Sequence, residues 1–362
     1  MTYALENKLQ VVGEFTDAES EGDPKFFITL RRRVHERLKE KKMTSHYGSE
    51  WVILEAAVLS LLYIVATYFV SVKASYVWAV ILGLCNGRLG FVMHSGNHAS
   101  ASKSRFWNIL VGLTMNLIGA SSLIWRYQHQ VSHHMYPNDP NRDKDCHSGK
   151  PILRLHPQHR HYPWHLGNVV TTVAMMAGFL GKWFFSDIGR FFYPVLGGVK
   201  VRIYSITFFD WIGLILTKAQ WLFLHVYIPY MLHGLPTALS LTAVFFGVGA
   251  YYLGGTFIVN HIQEGLVADP RRHWAERQLQ ASANWSSRSL FWNWESGGLN
   301  HQIEHHIFPS MSVYCYPYIQ DVVEKTAKEF GLPYRNYPNY ANALFNTAVY
   351  LNRLGWQKIS IE

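Results

Sequence analysis

Long apolar runs separated by short polar stretches dominate the hydrophobic pattern of this chain. Trp51 to Val72 is uncharged apart from Glu55, and Ser75 to Met93 carries only Arg88. Phe208 to Tyr230 carries Asp210 and Lys218, and Pro236 to Val259 carries no charge. Each run has about the 20 residues that a helix needs to cross a hydrocarbon core of about 30 Å. The pattern predicts four transmembrane helices in two hairpins, the second closed by the turn His233-Gly234-Leu235-Pro236. Two weaker runs are expected to lie in the membrane interface rather than cross it. Phe106 to Ile124 is interrupted by Gly112, Asn116 and Gly119, and Val169 to Phe185 by Gly178, Gly181 and Lys182. Phe27 to Met43 mixes apolar and basic residues as a surface helix does, and Val322 to Tyr350 reads as a helical tail of mixed polarity. The expected fold is all-α and membrane-integral, with interfacial helices and a cytosolic cap. Its parts are a basic N-terminal segment (1–50), a membrane domain (51–310) and a C-terminal tail packed on the cap (311–362).

Candidate chemistry sits at the ends of these runs. His94-Ser-Gly-Asn-His98, His129-Gln-Val-Ser-His133-His134 and His301-Gln-Ile-Glu-His305-His306 each place two imidazoles four residues apart, which on a helix puts them on one face within reach of a metal ion. With 19 histidines in 362 residues, one His-x-x-x-His-His match is expected by chance roughly 0.05 times. Two such matches are expected roughly 0.001 times, which makes accident a poor explanation. Eight histidines exceed what one four-coordinate ion takes, so a dinuclear centre or one metal with spectators is implied, and imidazole alone does not choose among iron, zinc, copper and nickel.

Composition supports the membrane reading and narrows the partners. Hydrophobic residues make up 49% and charged residues only 16%, unlike an ordinary soluble enzyme. The first 50 residues are polar, with Arg31-Arg32-Arg33 and Lys39-Glu40-Lys41-Lys42 ahead of the first run. No cleavable signal peptide is expected there, and the positive flank places this end in the cytoplasm or its organellar equivalent. Two spans then return the first histidine cluster to that side, and two more do the same for the third, so a shared metal site faces the cytoplasm. Cys85, Cys146 and Cys315 show no paired spacing and fit a reducing compartment. The formal charge of +9 comes without a nucleic-acid motif and suits anionic lipid headgroups or an acidic protein partner.

A histidine site at the inner ends of membrane helices, with no nucleophile motif and no phosphate loop, is placed for chemistry on a lipid chain. A methylene has no carbonyl to polarise and no acidic proton, so attacking it takes a strong oxidant. Iron with dioxygen and two electrons supplies one. A membrane metal transporter or sensor is the competing class, but it would need ionisable residues facing one another at mid-membrane, and Lys218 is the main one present.

The three boxes, with Ser121-Ser122-Leu123-Ile124-Trp125-Arg126-Tyr127-Gln128 leading into the second and Phe291-Trp292-Asn293-Trp294-Glu295-Ser296-Gly297-Gly298-Leu299-Asn300 into the third, resemble the membrane fatty acid desaturases from about residue 50 to 340. They are most similar to short front-end acyl-lipid desaturases of the Δ6 type that lack a fused cytochrome b5 domain. The resemblance implies a di-iron centre using O2, with His94, His98, His129, His133, His134, His301, His305 and His306 as ligands and His261 as a ninth. It implies introduction of a cis double bond into a long acyl chain on a lipid, coenzyme A or an acyl carrier protein. A related hydroxylase or acetylenase would keep every histidine. Two departures stand out: His301 occupies the first position of the third box, where many eukaryotic front-end enzymes carry glutamine, and no His-Pro-Gly-Gly haem motif is present. Electrons are therefore expected from a separate donor, ferredoxin or free cytochrome b5.

Metal-bound imidazoles need their other nitrogen held, and Asp143, Glu304 and Asn97 are the candidates for supporting them. Phe291, Trp292, Trp294, Trp125 and Tyr127 are candidates for lining an acyl channel or for anchoring at the interface. His156, His159, His161 and His165 lie around Pro157 and Pro163 and read as loop residues.

Overall fold

The computed structural model describes residues 23–194, 196, 203 and 206–357, so residues 1–22 of the expected N-terminal segment and 358–362 of the tail lie outside it. The described chain is mostly helical. In order the helices are α1 Lys25–Glu40, α2 Ser49–Ser71, α3 Tyr76–Asn97, α4 Arg105–Gly112, α5 Thr114–Leu117, α6 Ser122–Arg126, α7 Asn168–Met176 and α8 Phe179–Phe192. There follow α9 Phe208–Leu222, α10 Ile228–His233, α11 Leu235–His261, α12 Trp274–Gln280, α13 Leu290–Glu295, α14 Gln302–Ile307, α15 Tyr316–Glu329 and α16 Tyr340–Trp356.

Four helical segments are long and apolar enough to cross a membrane: Ser49–Ser71, Tyr76–Asn97, Phe208–His233 and Leu235–His261. They coincide with the four runs read from the sequence. The third contains a π-helical segment, Phe223–Tyr227, which joins α9 to α10. The two weaker runs fold as bent pairs. Arg105–Leu117 meets Ser122–His133 at 110°, and Pro163–Met176 meets Phe179–Phe192 at 78°. Gly119 and Gly178 lie at these breaks, where the helical ladder is interrupted.

Helix α3 is the spine. It packs along α2, α4 and α11, and a Cβ on Gly96 would stand 2.4 Å from the backbone nitrogen of Gly112, so the end of α3 and the end of α4 touch backbone to backbone. The main core joins Leu82, Leu89 and Met93 of α3 to Phe245 and Leu253 of α11. A second core lies apart from it. Phe26, Leu30, Val34 and Leu38, spaced four residues apart on α1, bury one stripe against Ile319, Val323 and Ala327 of α15 and against Ile303 and Ile307 of α14. Arg32, Glu36 and Lys39 lie on the opposite face of α1, while Arg37, on the packed side, pairs with Asp321 of α15 across the seam.

The buried ionisable groups of the apolar layer are paired. Lys218 donates to Asp187 Oδ2 at 2.9 Å and to the Gly119 carbonyl at 2.6 Å, and the same carboxylate oxygen accepts the Ser121 N–H. This one cluster ties both bent pairs to α9. Arg88 pairs with Glu55 and donates to the carbonyls of Trp294 and Glu295. Asp210, eight residues before Lys218, instead closes a capping box with Thr207. The three cysteines are buried and free.

Candidate metal centre

Three different backbone geometries deliver the histidines. The first box closes α3 in ordinary helical phase, with His98 N–H bonded to the His94 carbonyl, so His94 and His98 share a face. The second box is a π-helix, Tyr127–His133, in which His134 N–H reaches back five residues to the His129 carbonyl. That extra residue per turn pairs His129 with His134 and turns His133 to the other side. The third begins in a 3₁₀ turn, Leu299–His301, and becomes helical only at Gln302.

The result is two adjacent all-histidine groups, linked by a third set, His129, His133 and Asp145, that shares one histidine with each. His94, His98, His129, His134 and His305 offer nitrogens that all lie within 4.8 Å of one another, and so do those of His133, His261 and His306. All eight are buried. His94, His134 and His305 present Nε2 atoms linked at 3.1 Å through His129 and His134, and His133 Nε2 lies 3.3 Å from His261 Nε2. Two nitrogens bound at about 2.1 Å to one cation at angles between perpendicular and tetrahedral stand about 3.0–3.4 Å apart.

The outward nitrogens explain why the inward ones carry lone pairs. His261 Nδ1 donates to the Ala281 carbonyl at 2.8 Å, His306 Nδ1 to Gln278 Oε1 at 2.8 Å, and His133 Nδ1 to Asp143 Oδ2 at 3.0 Å. Each bond puts the proton on Nδ1 and leaves Nε2 bare. Burial, reinforced by the neighbouring imidazoles, pushes His305 and His306 well below their ordinary pKa, which keeps them neutral at pH 7. The inward Nε2 of His98 and of His306 has no hydrogen-bond partner at all. Buried bare lone pairs at this spacing repel one another and are stable around a cation, so the donor set fits a metal centre.

Asp143 is fully buried and stands where a supporting carboxylate should. Its Oδ2 accepts from His133 and from the Asn138 N–H at 2.8 Å, and its Oδ1 accepts the Asp145 N–H at 2.8 Å. Burial alone would raise this carboxyl; His133 and the two backbone donors outweigh it and hold the pKa below the ordinary value. The hydrogen bonds of Asn97 go to groups other than the imidazoles. Its side-chain oxygen accepts from Ser122 at 2.7 Å and its carbonyl accepts from Gln130, so it ties the first box to the second.

The third box corrects two expectations. His301 does not join either group, and neither of its ring nitrogens has a hydrogen-bond partner; its nearest charged neighbour is Glu304 at 3.7 Å. The reason is the 3₁₀ turn, which takes His301 out of phase with His305. Glu304 points away as well, its carboxylate held by Asn284 at 2.7 Å and Tyr334 at 2.8 Å. On α14, Gln302, His305 and His306 fall within one arc, and Glu304 lies about 200° around from Gln302. Gln302 is the residue that reaches the second group: its Nε2 lies 2.8 Å from His261 Nε2. Its orientation follows from a chain of partners. Trp285 Nε1, a donor only, bonds Asn260 Oδ1 at 2.8 Å, so Asn260 Nδ2 donates to Gln302 Oε1 at 3.0 Å and the amide nitrogen faces the histidines. The departure seen at His301 therefore disappears, because glutamine does occupy the position three residues before His305.

Beside the two groups lies a cavity of about 600 Å³, walled by Trp125, His129, His133 and His261 at one end and by Met175, Met176, Phe179, Leu153 and Ile258 elsewhere. Trp125 stacks on His129 with ring centroids 4.3 Å apart. Of the five aromatic candidates only Trp125 lines this cavity. Phe291 and Trp294 are exposed, Trp292 packs on Trp285 and Tyr340, and Tyr127 packs near Ile124. His161 and His165 bond backbone carbonyls, and none of His156, His159, His161 and His165 belongs to a metal-sized group.

The model of the family described as fatty acid desaturase matches residues 71–338, about three-quarters of the chain. The protein belongs to the fatty acid desaturase family. This desaturase is 30% identical to an acyl-lipid (8-3)-desaturase of Physcomitrium patens, over 96% of the chain and 75% of that relative. It is 32% identical to a chloroplastic acyl-lipid (7-3)-desaturase of Chlamydomonas reinhardtii, over 92% of the chain and 66% of that relative. It is 29% identical to an sn-1 linoleoyl-lipid 6-desaturase of Synechocystis, over 73% of the chain and 76% of that relative. The protein is thus an oxidoreductase of a membrane-bound family, and a membrane transporter is excluded as its class.

Proposed function

We propose that this desaturase is a front-end, Δ6-like enzyme with a di-iron centre, acting on the acyl chain of a lipid. The observation that carries the reading is the convergence of eight buried imidazoles in two metal-sized groups, three of which, His129, His133 and His261, also wall a largely apolar cavity of about 600 Å³. One iron would be held by His94, His98, His129, His134 and His305, and the other by His133, His261 and His306, with Gln302 beside them. When bound, the irons supply the oxidising power to abstract hydrogen from a methylene. The overall change removes two hydrogens from adjacent methylenes, consumes one O2, two electrons and two protons, and releases a cis alkene and two waters.

The protein's own groups do the rest. The cavity wall excludes water and holds the chain against the Trp125–His129 edge. Asp143, Gln278 and the Ala281 carbonyl fix the tautomers of His133, His306 and His261. The relatives named above are acyl-lipid (8-3)- and (7-3)-desaturases and a linoleoyl-lipid 6-desaturase, which favours a lipid-linked substrate and supports the front-end reading. In the membrane we place the four apolar helices as two hairpins, with the boxes, α1 and the C-terminal helices α15 and α16 forming the cap on the cytoplasmic or stromal side. The support is the basic stretch before α2 and the even number of spans between boxes. Electrons would come from an acidic donor, ferredoxin or free cytochrome b5, matched to the chain's +9 formal charge.

The test is expression in a host of known desaturase background, fed saturated and pre-unsaturated fatty acids, with double-bond positions read by mass spectrometry. A new bond between an existing one and the carboxyl end, absent in His305→Ala, is the expected result. A hydroxylated product, or a new bond only on the methyl side, would refute the assignment.

A further inference from the structure

The cavity beside the histidines is largely apolar, but its lining also includes Lys182, Ser148, Asp145 and Gln128, all half-buried, and the fully buried His133 and His129, so the first four stand nearer the solvent than the two histidines. Lys182 lies on α8 just after the break at Gly178, and the residues around that break, Ala174, Met175 and Gly178, are exposed, which marks the opening. Lys182 Nζ donates to Ser148 Oγ at 2.8 Å. Asp145 accepts from Gln128 at 2.8 Å, with its other oxygen 3.7 Å from His133 Nδ1. Lys144 and Arg190 add positive charge around Lys182, opposed by Asp145. An ammonium at the rim of an apolar cavity loses solvation unless oxygens replace the water, and its bond to Ser148 uses one of three donors.

Resting on the desaturase reading, we infer that Lys182 and Ser148 grip the negatively polarised oxygens at the carboxyl end of the acyl chain, at the cavity mouth, and so make this chain's chemistry count from that end. A fixed anchor at the cavity mouth holds a set number of methylenes between the carbonyl and the histidines. The remaining, methyl-ended length then lies along Met176, Phe179 and Ile258. The shared chemistry is a carbonyl or carboxylate oxygen, which an ester lipid and a free fatty acid both present. Lys182 and Ser148 are positioning residues here, distinct from the metal ligands.

The experiment compares the wild type, Lys182→Arg and Lys182→Met as purified metal-loaded proteins. Linoleoyl phosphatidylglycerol in nanodiscs is one substrate and linoleate in detergent the other. Lys182→Met should raise KM about tenfold and spread the new double bond over neighbouring positions, with metal content and melting temperature unchanged and with Lys182→Arg behaving as wild type. An effect confined to the nanodisc arm identifies an ester lipid as the ligand; an effect confined to linoleate identifies the free acid. A Lys182→Met protein with wild-type KM and a single product position overturns the inference. Binding of dibromostearoyl phosphatidylglycerol, read as quenching lost in Trp183→Phe, separates this outcome from failure of the desaturase reading, because it needs no turnover. If the wild type makes no double bond, tenfold weaker quenching in Lys182→Met still supports the anchor, and equal quenching still refutes it.

Discussion

Asp143→Asn removes one charge and keeps the side chain's shape, which makes it a sharp probe of how the second histidine group is supported. The carboxylate accepts three short bonds, from His133 Nδ1 and the Asn138 N–H on one oxygen and from the Asp145 N–H on the other, besides a long contact from the Cys146 thiol at 3.8 Å. An asparagine turned to keep the first two must aim its own N–H at the Asp145 N–H across 2.8 Å. The charge-assisted bond to His133 falls to a neutral one, a loss of about 1 kcal/mol, and the orphaned backbone donor costs about 1–3 kcal/mol more. The part felt at the metal should be a 10–100-fold drop in affinity, about 1.4–2.8 kcal/mol, because His133 loses both its orientation and its basicity. The assay is titration of the metal-free protein with Co²⁺ against a competing chelator, reading the visible ligand-field bands. Asp139→Asn is the control, since Asp139 bonds Arg142 and the backbone of the loop and touches no histidine. If Asp143→Asn binds with the wild-type midpoint while its melting temperature falls, the carboxylate supports the loop and not the metal.

Three further outcomes follow from the same structure. His301→Ala should retain the full metal content and His305→Ala should lose metal, measured by elemental analysis of the purified proteins; loss in both would return His301 to the ligand set. Gly254→Leu should abolish desaturation while leaving metal content intact. A Cβ there meets Met176 at an ordinary 3.4 Å and the rest of the side chain enters the cavity, so undiminished product from this variant would move the substrate elsewhere. Lys218→Met should lower the melting temperature in detergent, at a cost of about 3–5 kcal/mol, because it strands the buried Asp187 carboxylate. Lys218→Met combined with Asp187→Leu should recover most of that loss, and no recovery would show that the pair is not the origin.

Much of the fold is written in hydrophobic run length, which is why the four long helices emerge at nearly their observed limits. Breaks within shorter runs are legible for the same reason: a glycine or asparagine in an apolar stretch marks where a helix bends. The pairing of Lys218 was not legible. Its partner, Asp187, is 31 residues away on a helix whose direction is set by the bend at Gly178, and the nearby Asp210 is occupied by its own helix cap. Asn260, Gln278 and Trp285 likewise carry no spacing signal, because their partners in the site come from other elements.

Histidine spacing picks out segments that converge but not how their members divide between the two groups, and the cause is backbone phase. A four-residue interval means one face only in an α-helix, which holds for His94 and His98 alone. In the second box the π-turn widens the interval to five, so one short segment feeds both groups: His129 and His134 go to one, His133 to the other. In the third box Gly297 and Gly298 adopt φ of 59° and 83°, where a Cβ would stand 2.5 Å from the Phe91 Cβ and 2.6 Å from the Val313 Cβ. Only glycine fits both conformation and space, and the turn it permits delivers the chain to the helix one residue later than the motif suggests. Gln302 then leads the helical face and His301 is left behind it. The second box needs its π-turn to serve both groups, whereas the third divides His305 and His306 between them from an ordinary helix, on which adjacent residues stand about 100° apart. The irregular turns are therefore part of how one set of boxes builds two adjacent sites.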